Sequence, residues 1–234
     1  EMAKVLENSY RAMNISFMVE WSRFAELSGV NIYEVVDAIR LRPTHSNLMY
    51  PGIGVGGYCL TKDPLLASWA SMNYFGLDSG LHFSSLAVEE NDKMPAYAFD
   101  FVMKIIKNNL DIKNIGFLGV AYGPGIGDTR FSPVEDFLKS FSNKYKIKCH
   151  DPYVTLWEEM NLRIENDLKA FLIDEYEVII ITTAHSDYLD NDDLISYLDK
   201  KIIKPILIDT VGLFARSEYF KTYPKDKFFI LGNG

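Results

Sequence analysis

The hydrophobic pattern changes its period once along the chain, near Asn114, and no other feature constrains the fold as strongly. Before this point, apolar residues recur at helical spacings of three and four. After it, the short runs IGFLGVAY, KIKCHD, EVIIITTA and PILIDT are apolar and β-branched. The pattern predicts a helical domain over residues 1–110 and an α/β domain with a parallel sheet over residues 111–234. Ligands are expected at the carboxyl ends of the strands.

Several segments of the first half carry helix signals. Residues 1–29 predict one long helix, because apolar side chains surround a narrow polar stripe and a glycine ends the pattern. The stripe consists of Glu1, Lys4, Asn8 and Arg11. Asn31 and Glu34 have the spacing of a capping box for a second helix, which runs to about residue 41. Residues 84–108 continue the helical period, and Pro95 marks a kink or a break between two helices.

Composition and charge exclude several classes of function. The 234 residues carry a net charge of −8 and contain no basic stripe, so nucleic acid is not an expected partner. No apolar stretch is long enough to cross a bilayer and the first residues do not resemble a signal peptide, so we expect no membrane association and a cytoplasmic location. Two distant cysteines predict free thiols rather than a disulfide framework.

The loop PGIGVGGYCLTKDP, residues 51–64, places four glycines before Cys59. Asp63 and Pro64 have the pattern of an N-cap followed by the first residue of a helix, so Cys59 is expected just before a helix start, where a thiolate is favoured. The glycines leave the thiol unshielded, and Lys62 is near. These features favour a reactive thiol over a small buried apolar residue. Asp63 would act as a cap, as a catalytic carboxylate, or as both.

Two polar residues of the first helix, Lys4 and Asn8, lie one turn apart on one face. Their helix is otherwise apolar around most of its circumference, so each needs a partner or a function; snorkelling within a helical bundle is the alternative. A second glycine cluster, GPGIGD at residues 123–128, follows a predicted strand. Its alternating glycines do not match the dinucleotide fingerprint, so a ligand-facing loop is favoured. The four histidines have no metal-ligand spacing, and no metal site is expected.

Six pieces in this order resemble the UDP-sugar 6-dehydrogenase family, which includes the UDP-glucose and UDP-N-acetylmannosamine dehydrogenases. The pieces are EMAKVLENSYRAMNISFMVE, PGIGVGGYCLTKDP, ENDKMP, AYGPGIGDTRFSP, HDPYV and TAHSDY. The resemblance implies a helical dimerisation domain followed by a Rossmann-like parallel α/β domain that binds UDP. It covers only the central and C-terminal domains of the family, so we expect the NAD-binding domain to lie outside this chain and the chain to be inactive without it.

The family resemblance also implies a mechanism and a set of site residues. The C6 alcohol of a UDP-sugar would be oxidised twice with NAD, through a thiohemiacetal and a thioester on Cys59. Lys4 and Asn8 match the groups that stabilise the oxyanion, and Asp63 matches the carboxylate that orders or activates water. Lys62 and Arg130 would contact NAD, and the long first helix would form the core of a homodimer. Substrate-binding positions by similarity are Glu7, Tyr50, Gly52, Gly54, Gly56 and Tyr122.

This sequence departs from the family pattern at several positions. Gly123 stands where a substrate-contacting lysine is usual, Phe131 where an acidic residue is common, and Val211 where a basic residue is frequent. Arg42 and His45 are the candidates for the basic residue that crosses from a partner subunit in the family. The loss of two cations near a diphosphate would weaken binding by a few kcal/mol, and the identity of the sugar is left open.

Two other function classes remain open from the sequence. One is a non-catalytic module that dimerises and binds a nucleotide sugar. The other is a thiol hydrolase, which would need a histidine within about 3 Å of the Cys59 sulfur.

Overall fold

The computed structural model describes residues 1–107 and 112–234. The first of these ranges contains α1 (Met2–Ser28), α2 (Ile32–Arg40), α3 (Tyr58–Phe75), α4 (His82–Asp92) and α5 (Met94–Ile106). The second contains β1 (Asn114–Leu118), α6 (Pro133–Lys139), β2 (Lys146–His150), β3 (Leu156–Trp157), β4 (Leu162–Arg163), α7 (Leu168–Phe171), β5 (Val178–Ile181), α8 (Asp192–Lys200), β6 (Ile206–Asp209), α9 (Glu218–Lys221) and β7 (Phe228–Ile230). Across the described residues, every helix is too short or too polar to span a lipid bilayer.

Helix boundaries confirm most of the local signals. Helix α1 ends at Gly29, whose φ of 71° is a left-handed conformation that glycine adopts without steric cost. Helix α2 begins after Asn31, whose side chain accepts a hydrogen bond from the Tyr33 backbone N–H. The break predicted near Pro95 separates α4 from α5. Residue 108, the last of that predicted segment, lies outside the described residues.

The predicted start of α3 is wrong. The helix begins at Tyr58, not at Pro64, and its N-cap is Gly57 with φ of 77°. Asp63 therefore does not cap the helix, and Cys59 is its second residue. Pro64 lies inside α3, where its missing N–H leaves the Leu60 carbonyl without the usual helical donor. The Thr61 hydroxyl donates to the Gly57 carbonyl at 2.8 Å, which links the first turn of the helix back to its cap.

The four predicted strands form a parallel sheet, joined by a fifth. The strand order is β2-β1-β5-β6-β7, and each neighbouring pair is parallel. Strand β7 and the antiparallel pair β3–β4 were not predicted from the sequence. The chain direction across the sheet reverses between β1 and β5, and the carboxyl ends of these strands open a crevice there. Residues after Leu118 and after Ile181 border that crevice.

Both faces of the sheet are covered, as expected for parallel strands. In β5, Val178 and Ile180 face one core cluster, whereas Ile179 and Ile181 face the other. The first cluster also contains residues of α5, because α5 packs against α6 beside the sheet. We therefore distinguish a helical region, residues 1–93, from a sheet region, residues 94–107 and 112–234. The predicted domain boundary near residues 109–113 falls mainly outside the described residues and stays a prediction.

Candidate functional site

A cavity of about 480 Å³ lies between the two regions and contains the candidate nucleophile. Its walls come from one face of α1, from the glycine loop with the start of α3, and from the loop after β1. The lining residues are Asn8, Arg11, Ile15, Gly54, Val55, Gly56, Gly57, Tyr58, Cys59, Leu60, Tyr122, Gly123, Pro124 and Ile126. Residues that are distant in sequence thus meet around Cys59.

Asn8 and Asp63 form a buried pair behind this cavity. The Asn8 side-chain amide donates to the Asp63 carboxylate at 2.8 Å, and both residues are less than 10% exposed. An asparagine amide carries two N–H donors, so the second is available to another oxygen. Lys4, one turn earlier on α1, is exposed and does not line the cavity.

Cys59 is partly exposed, in contrast to Cys149, which is buried in β2. Burial raises the pKa of the Cys149 thiol to about 12, so that thiol is not a nucleophile at neutral pH. No histidine lines the Cys59 cavity within the described part of the chain, which gives no support to a histidine-activated hydrolase. The described residues also hold no group of three His, Cys, Asp or Glu side chains that could bind a metal ion.

The glycine loop packs closely against the sheet region. A Cβ atom at Gly56 would lie 2.5 Å from both the Phe131 carbonyl oxygen and the Tyr122 Cβ, so only glycine fits there. Gly57 donates its backbone N–H to the Arg130 carbonyl at 3.2 Å. The glycines at 56 and 57 therefore serve first to dock the cysteine loop onto the loop after β1. Gly52 has open space around it and does not line the cavity.

A second cavity, of about 550 Å³, lies on the other side of Arg11. Glu7 and Tyr50 line it, together with Tyr10, Arg11, Asn14, Arg40, Asn47, Leu48 and Met49. The Tyr50 hydroxyl donates to Asp37 at 2.5 Å, and the guanidinium groups of Arg40 and Arg216 lie 4.8 and 4.4 Å from the centroid of its ring. Tyr50 thus takes part in a contact between the helical and sheet regions. Arg42 and His45 are exposed and line neither cavity.

Lys62 and Arg130, the residues expected to contact a cofactor, approach the same aromatic ring. The Lys62 ammonium lies 5.9 Å and the Arg130 guanidinium 5.3 Å from the Tyr58 ring centroid. Arg130 also pairs with Asp128 at 2.6 Å. Lys62 and Tyr58 line a third cavity, of about 680 Å³, whose walls include Asp92 and Asp136. Burial, with a smaller contribution from the Asp136 charge, raises the pKa of Asp92.

A buried polar network, absent from the sequence-based site residues, fixes the loop after β1. The Asp151 carboxylate accepts hydrogen bonds from the backbone N–H groups of Val120 and Ala121 and from His185 Nε2, at 2.8 to 3.0 Å. His185 Nδ1 accepts from the Gly125 N–H at 3.1 Å, so the imidazole is neutral with its proton on Nε2. Burial alone would raise the pKa of Asp151, but these donors outweigh it and lower the pKa.

Sequence signals for this network were present but incomplete. Asp151 and His185 follow β2 and β5, at the edge of the sheet where ligand-bordering residues are expected. Because Asp151 and His185 are 34 residues apart, the sequence alone did not reveal the hydrogen bond between them. The network holds the loop that carries Tyr122 and Gly123 against the cavity.

Comparison with known proteins places both regions in one family. Residues 1–93 match the central domain of the UDP-glucose/GDP-mannose dehydrogenase family, and residues 116–216 match the UDP binding domain of that family. A UDP-N-acetyl-D-mannosamine dehydrogenase from Methanocaldococcus jannaschii is 31% identical over all of this chain, and one from Pyrococcus horikoshii is 35% identical over 80% of it.

The relatives are longer than this chain, which spans 51% of the first and 42% of the second. A solved structure of UDP-D-ManNAc dehydrogenase from Pyrococcus horikoshii superimposes with a TM-score of 0.75 at 30% identity. That match covers all of this chain and 52% of the other. The chain thus corresponds to about half the length of these relatives.

Proposed function

The chain belongs to the UDP-glucose/GDP-mannose dehydrogenase family, and from this membership we propose that it supplies the central and UDP-binding domains of an NAD-dependent nucleotide-sugar 6-dehydrogenase. The proposed reaction oxidises the C6 alcohol of a UDP-sugar to a carboxylate and consumes two NAD+. Several relatives are named UDP-N-acetyl-D-mannosamine dehydrogenase, which makes that nucleotide sugar the first substrate to test. The proposal rests on the meeting of Cys59, Asn8 and the loop after β1 around one cavity.

In the proposed mechanism, Cys59 forms and breaks one covalent bond. Its thiolate attacks the C6 aldehyde carbon, and the carbonyl electron pair moves to the oxygen to give a thiohemiacetal. The second N–H of Asn8 donates to that oxygen, and the Lys4 ammonium, which is exposed one turn earlier on α1, must turn toward the cavity to stabilise it. After oxidation to a thioester, Asp63 accepts one proton from the attacking water and the C–S bond breaks to release the Cys59 thiolate. The new C6 carboxylic acid loses its proton to solvent and leaves as the carboxylate.

The charged residues around Tyr58 are of the types that bind a dinucleotide. Lys62 offers a cation for phosphate oxygens, and Asp92 and Asp136 offer acceptors for ribose hydroxyl groups. Arg130, on the same Tyr58 ring, would exchange its pair with Asp128 for a second phosphate contact. NAD, when bound, supplies the acceptor for the electrons removed in both oxidations. In this proposal the chain contributes one side of the cofactor site.

The proposed assembly is a homodimer through α1. Large apolar side chains form an exposed stripe along this helix, at Leu6, Met13, Phe17, Trp21 and Phe24. Their spacings of seven, four, four and three residues keep them on one face. A second copy of the same stripe would cover these side chains.

The experiment that tests the function measures the stoichiometry of NADH in the natural full-length protein. We expect two NADH for each UDP-sugar converted to its uronate. Cys59→Ser should lower acid formation by about 10³-fold or more, because a serine hydroxyl is a much poorer nucleophile. Cys149→Ser is the matched control and should keep the activity.

An undiminished rate of acid formation in the Cys59→Ser protein would reject the covalent mechanism. Tight binding of UDP-sugars by the wild-type protein without NADH production would instead favour the non-catalytic binding module.

A further inference from the structure

The position of Arg11 sets it apart from the other arginines. It lies three residues after Asn8 on α1, about 4.5 Å further along the helix axis, and faces the same cavity as Cys59. It is the only charged side chain among the described residues that line this cavity. It also borders the second cavity, beside Tyr50 and Arg40. Arg11 therefore stands on the ridge between the two cavities.

Arg11 is exposed, and its guanidinium forms no ion pair in residues 1–107 and 112–234. Other arginines in these ranges are also unpaired, so Arg11 is distinguished by its place on the cavity wall. A guanidinium remains charged at any physiological pH and presents planar N–H pairs that match phosphate or carboxylate oxygens. Among the described residues, the walls of the cavity thus carry one unpaired cation and no carboxylate. Its electrostatics suit a negatively charged ligand.

The two ends of the cavity define where such a negative charge would lie. Cys59 is on the helical-region wall, and this thiol fixes the position of C6 in the proposed reaction. Tyr122, Pro124 and Ile126, which lie within the match to the UDP binding domain, line the same cavity from the loop after β1. A diphosphate links the sugar to the uridine, so in a site that runs from Cys59 to these residues it would contact the cavity wall that includes Arg11.

The cations that the family resemblance leads one to expect are missing from the sheet region. Position 123 is glycine, and a Cβ there would meet only Ile126 at 3.5 Å. Position 211 is valine, which packs against the apolar clusters of the sheet. A diphosphate in this crevice therefore needs a cation from another element, and α1 provides one.

We propose that Arg11 binds the diphosphate of the nucleotide-sugar substrate from α1, in place of cations on the sheet region. This inference rests on the proposed function for the identity of the ligand. The guanidinium donates two parallel N–H bonds to phosphate oxygens. The sugar is then held by Cys59 and Asn8 on one side of Arg11, and the uridine by the sheet region on the other.

The test is direct binding of UDP, UMP and uridine to the natural full-length protein by calorimetry. Arg11→Gln should weaken UDP binding by about 10- to 100-fold, the range for a charge-assisted hydrogen-bonded pair. Uridine, which lacks phosphate, should bind the variant as it binds the wild type. Arg11→Lys keeps the positive charge but not the planar pair of N–H donors, so its loss of UDP affinity should be smaller than that of Arg11→Gln. Arg163→Gln, on β4 and outside the cavity, is the matched control and should bind UDP normally.

Unchanged UDP affinity in Arg11→Gln would overturn the inference, and so would an equal loss for UDP and uridine, which indicates a structural effect. Circular dichroism on the same samples verifies folding. Because UDP binding does not require turnover, a result can reject the proposed reaction without rejecting the diphosphate site at Arg11, and the reverse also holds. Selective loss of UDP affinity in a protein that never reduces NAD+ would reject the reaction and support the diphosphate site. Normal UDP affinity with normal NADH production would reject the site alone.

Discussion

The helical region and the sheet region differ in how completely they bury their apolar side chains. The sheet region encloses its strands between two core clusters, and β5 is buried along its entire length. The helical region leaves large apolar side chains exposed on α1 and α3, among them Phe17, Phe24 and Trp69. The sheet region thus completes its own core, whereas the helical region presents surface that suits a partner.

The two regions also use polar groups differently. In the sheet region, Asp151 and His185 are fully buried and bind the backbone of a neighbouring loop. In the helical region, Asn8, Arg11 and Cys59 border a cavity. We infer that substitutions in the first set reduce stability and substitutions in the second reduce binding or activity. The following predictions test that division.

The largest expected effect is on the stability of the sheet region. Asp151→Ala removes the acceptor for three backbone N–H groups and for the buried His185, and should lower the free energy of unfolding by about 3–5 kcal/mol. Denaturation by urea measures this change. Asp174→Ala, which breaks the exposed pair with Lys148, is the control and should change stability by less than about 1 kcal/mol. Equal stability of the two variants would contradict the inference that substitutions in the buried Asp151 and His185 set reduce stability.

Two buried groups should contribute to the pH dependence of stability in opposite directions. Burial raises the pKa of Asp209 to about 6, above its unfolded value of 3.8, so its contribution to stability falls as the pH rises between these values. Burial lowers the pKa of His150 to about 4 from 6.5, so its contribution rises with pH over nearly the same window. The two effects largely cancel in the wild-type protein.

Asp209→Asn should remove the pH-dependent contribution of Asp209 to stability and leave that of His150. The unfolding free energy of the variant minus that of the wild type should increase by about 2 kcal/mol between pH 4 and pH 6. Urea denaturation at a series of pH values gives this difference, in which the other titrating groups cancel. A difference that stays constant across this range would show that Asp209 is ionised at the same pH in both states.

The next effect concerns the assembly of the helical region. Phe17→Glu places a charge in the exposed stripe of α1 and should weaken self-association by about 1.5–3 kcal/mol for each phenylalanine removed from the interface. Light scattering after size exclusion measures the shift from dimer to monomer. Ile202→Glu is the control from the sheet region, since Ile202 is fully exposed and should leave the assembly unchanged. A dimer that survives Phe17→Glu but not Ile202→Glu would place the interface on the sheet.

The sequence predicted elements wherever a strong local pattern decides the structure. The runs at β1, β2, β5 and β6 are apolar and β-branched, and all four became strands. Strand β7 has three residues and β3 and β4 have two each, which is too short for a periodic signal. The start of α3 was misjudged because the Asp63-Pro64 pair imitates a helix start, whereas Asp63 bonds to Asn8 across 55 residues.

Contacts in the site depend on pairings that local patterns cannot reveal. The sequence indicated Cys59, Asn8 and Asp63, and the hydrogen bond between the last two emerged only from the fold. The close approach of Gly56 to Phe131 and Tyr122 likewise joins segments that are distant in sequence. Arg11 appeared as one member of a polar stripe, and its place between two cavities became visible only in three dimensions.

Intact-mass and peptide mass spectrometry of the natural full-length protein, acid-quenched during turnover with NAD+ and a UDP-sugar, tests the central claim most directly. We predict a sugar-derived acyl adduct on the peptide that contains Cys59, and an unmodified peptide that contains Cys149. An active enzyme that forms uronate with no adduct on Cys59 at any quench time, or with the adduct on Cys149, would contradict the account.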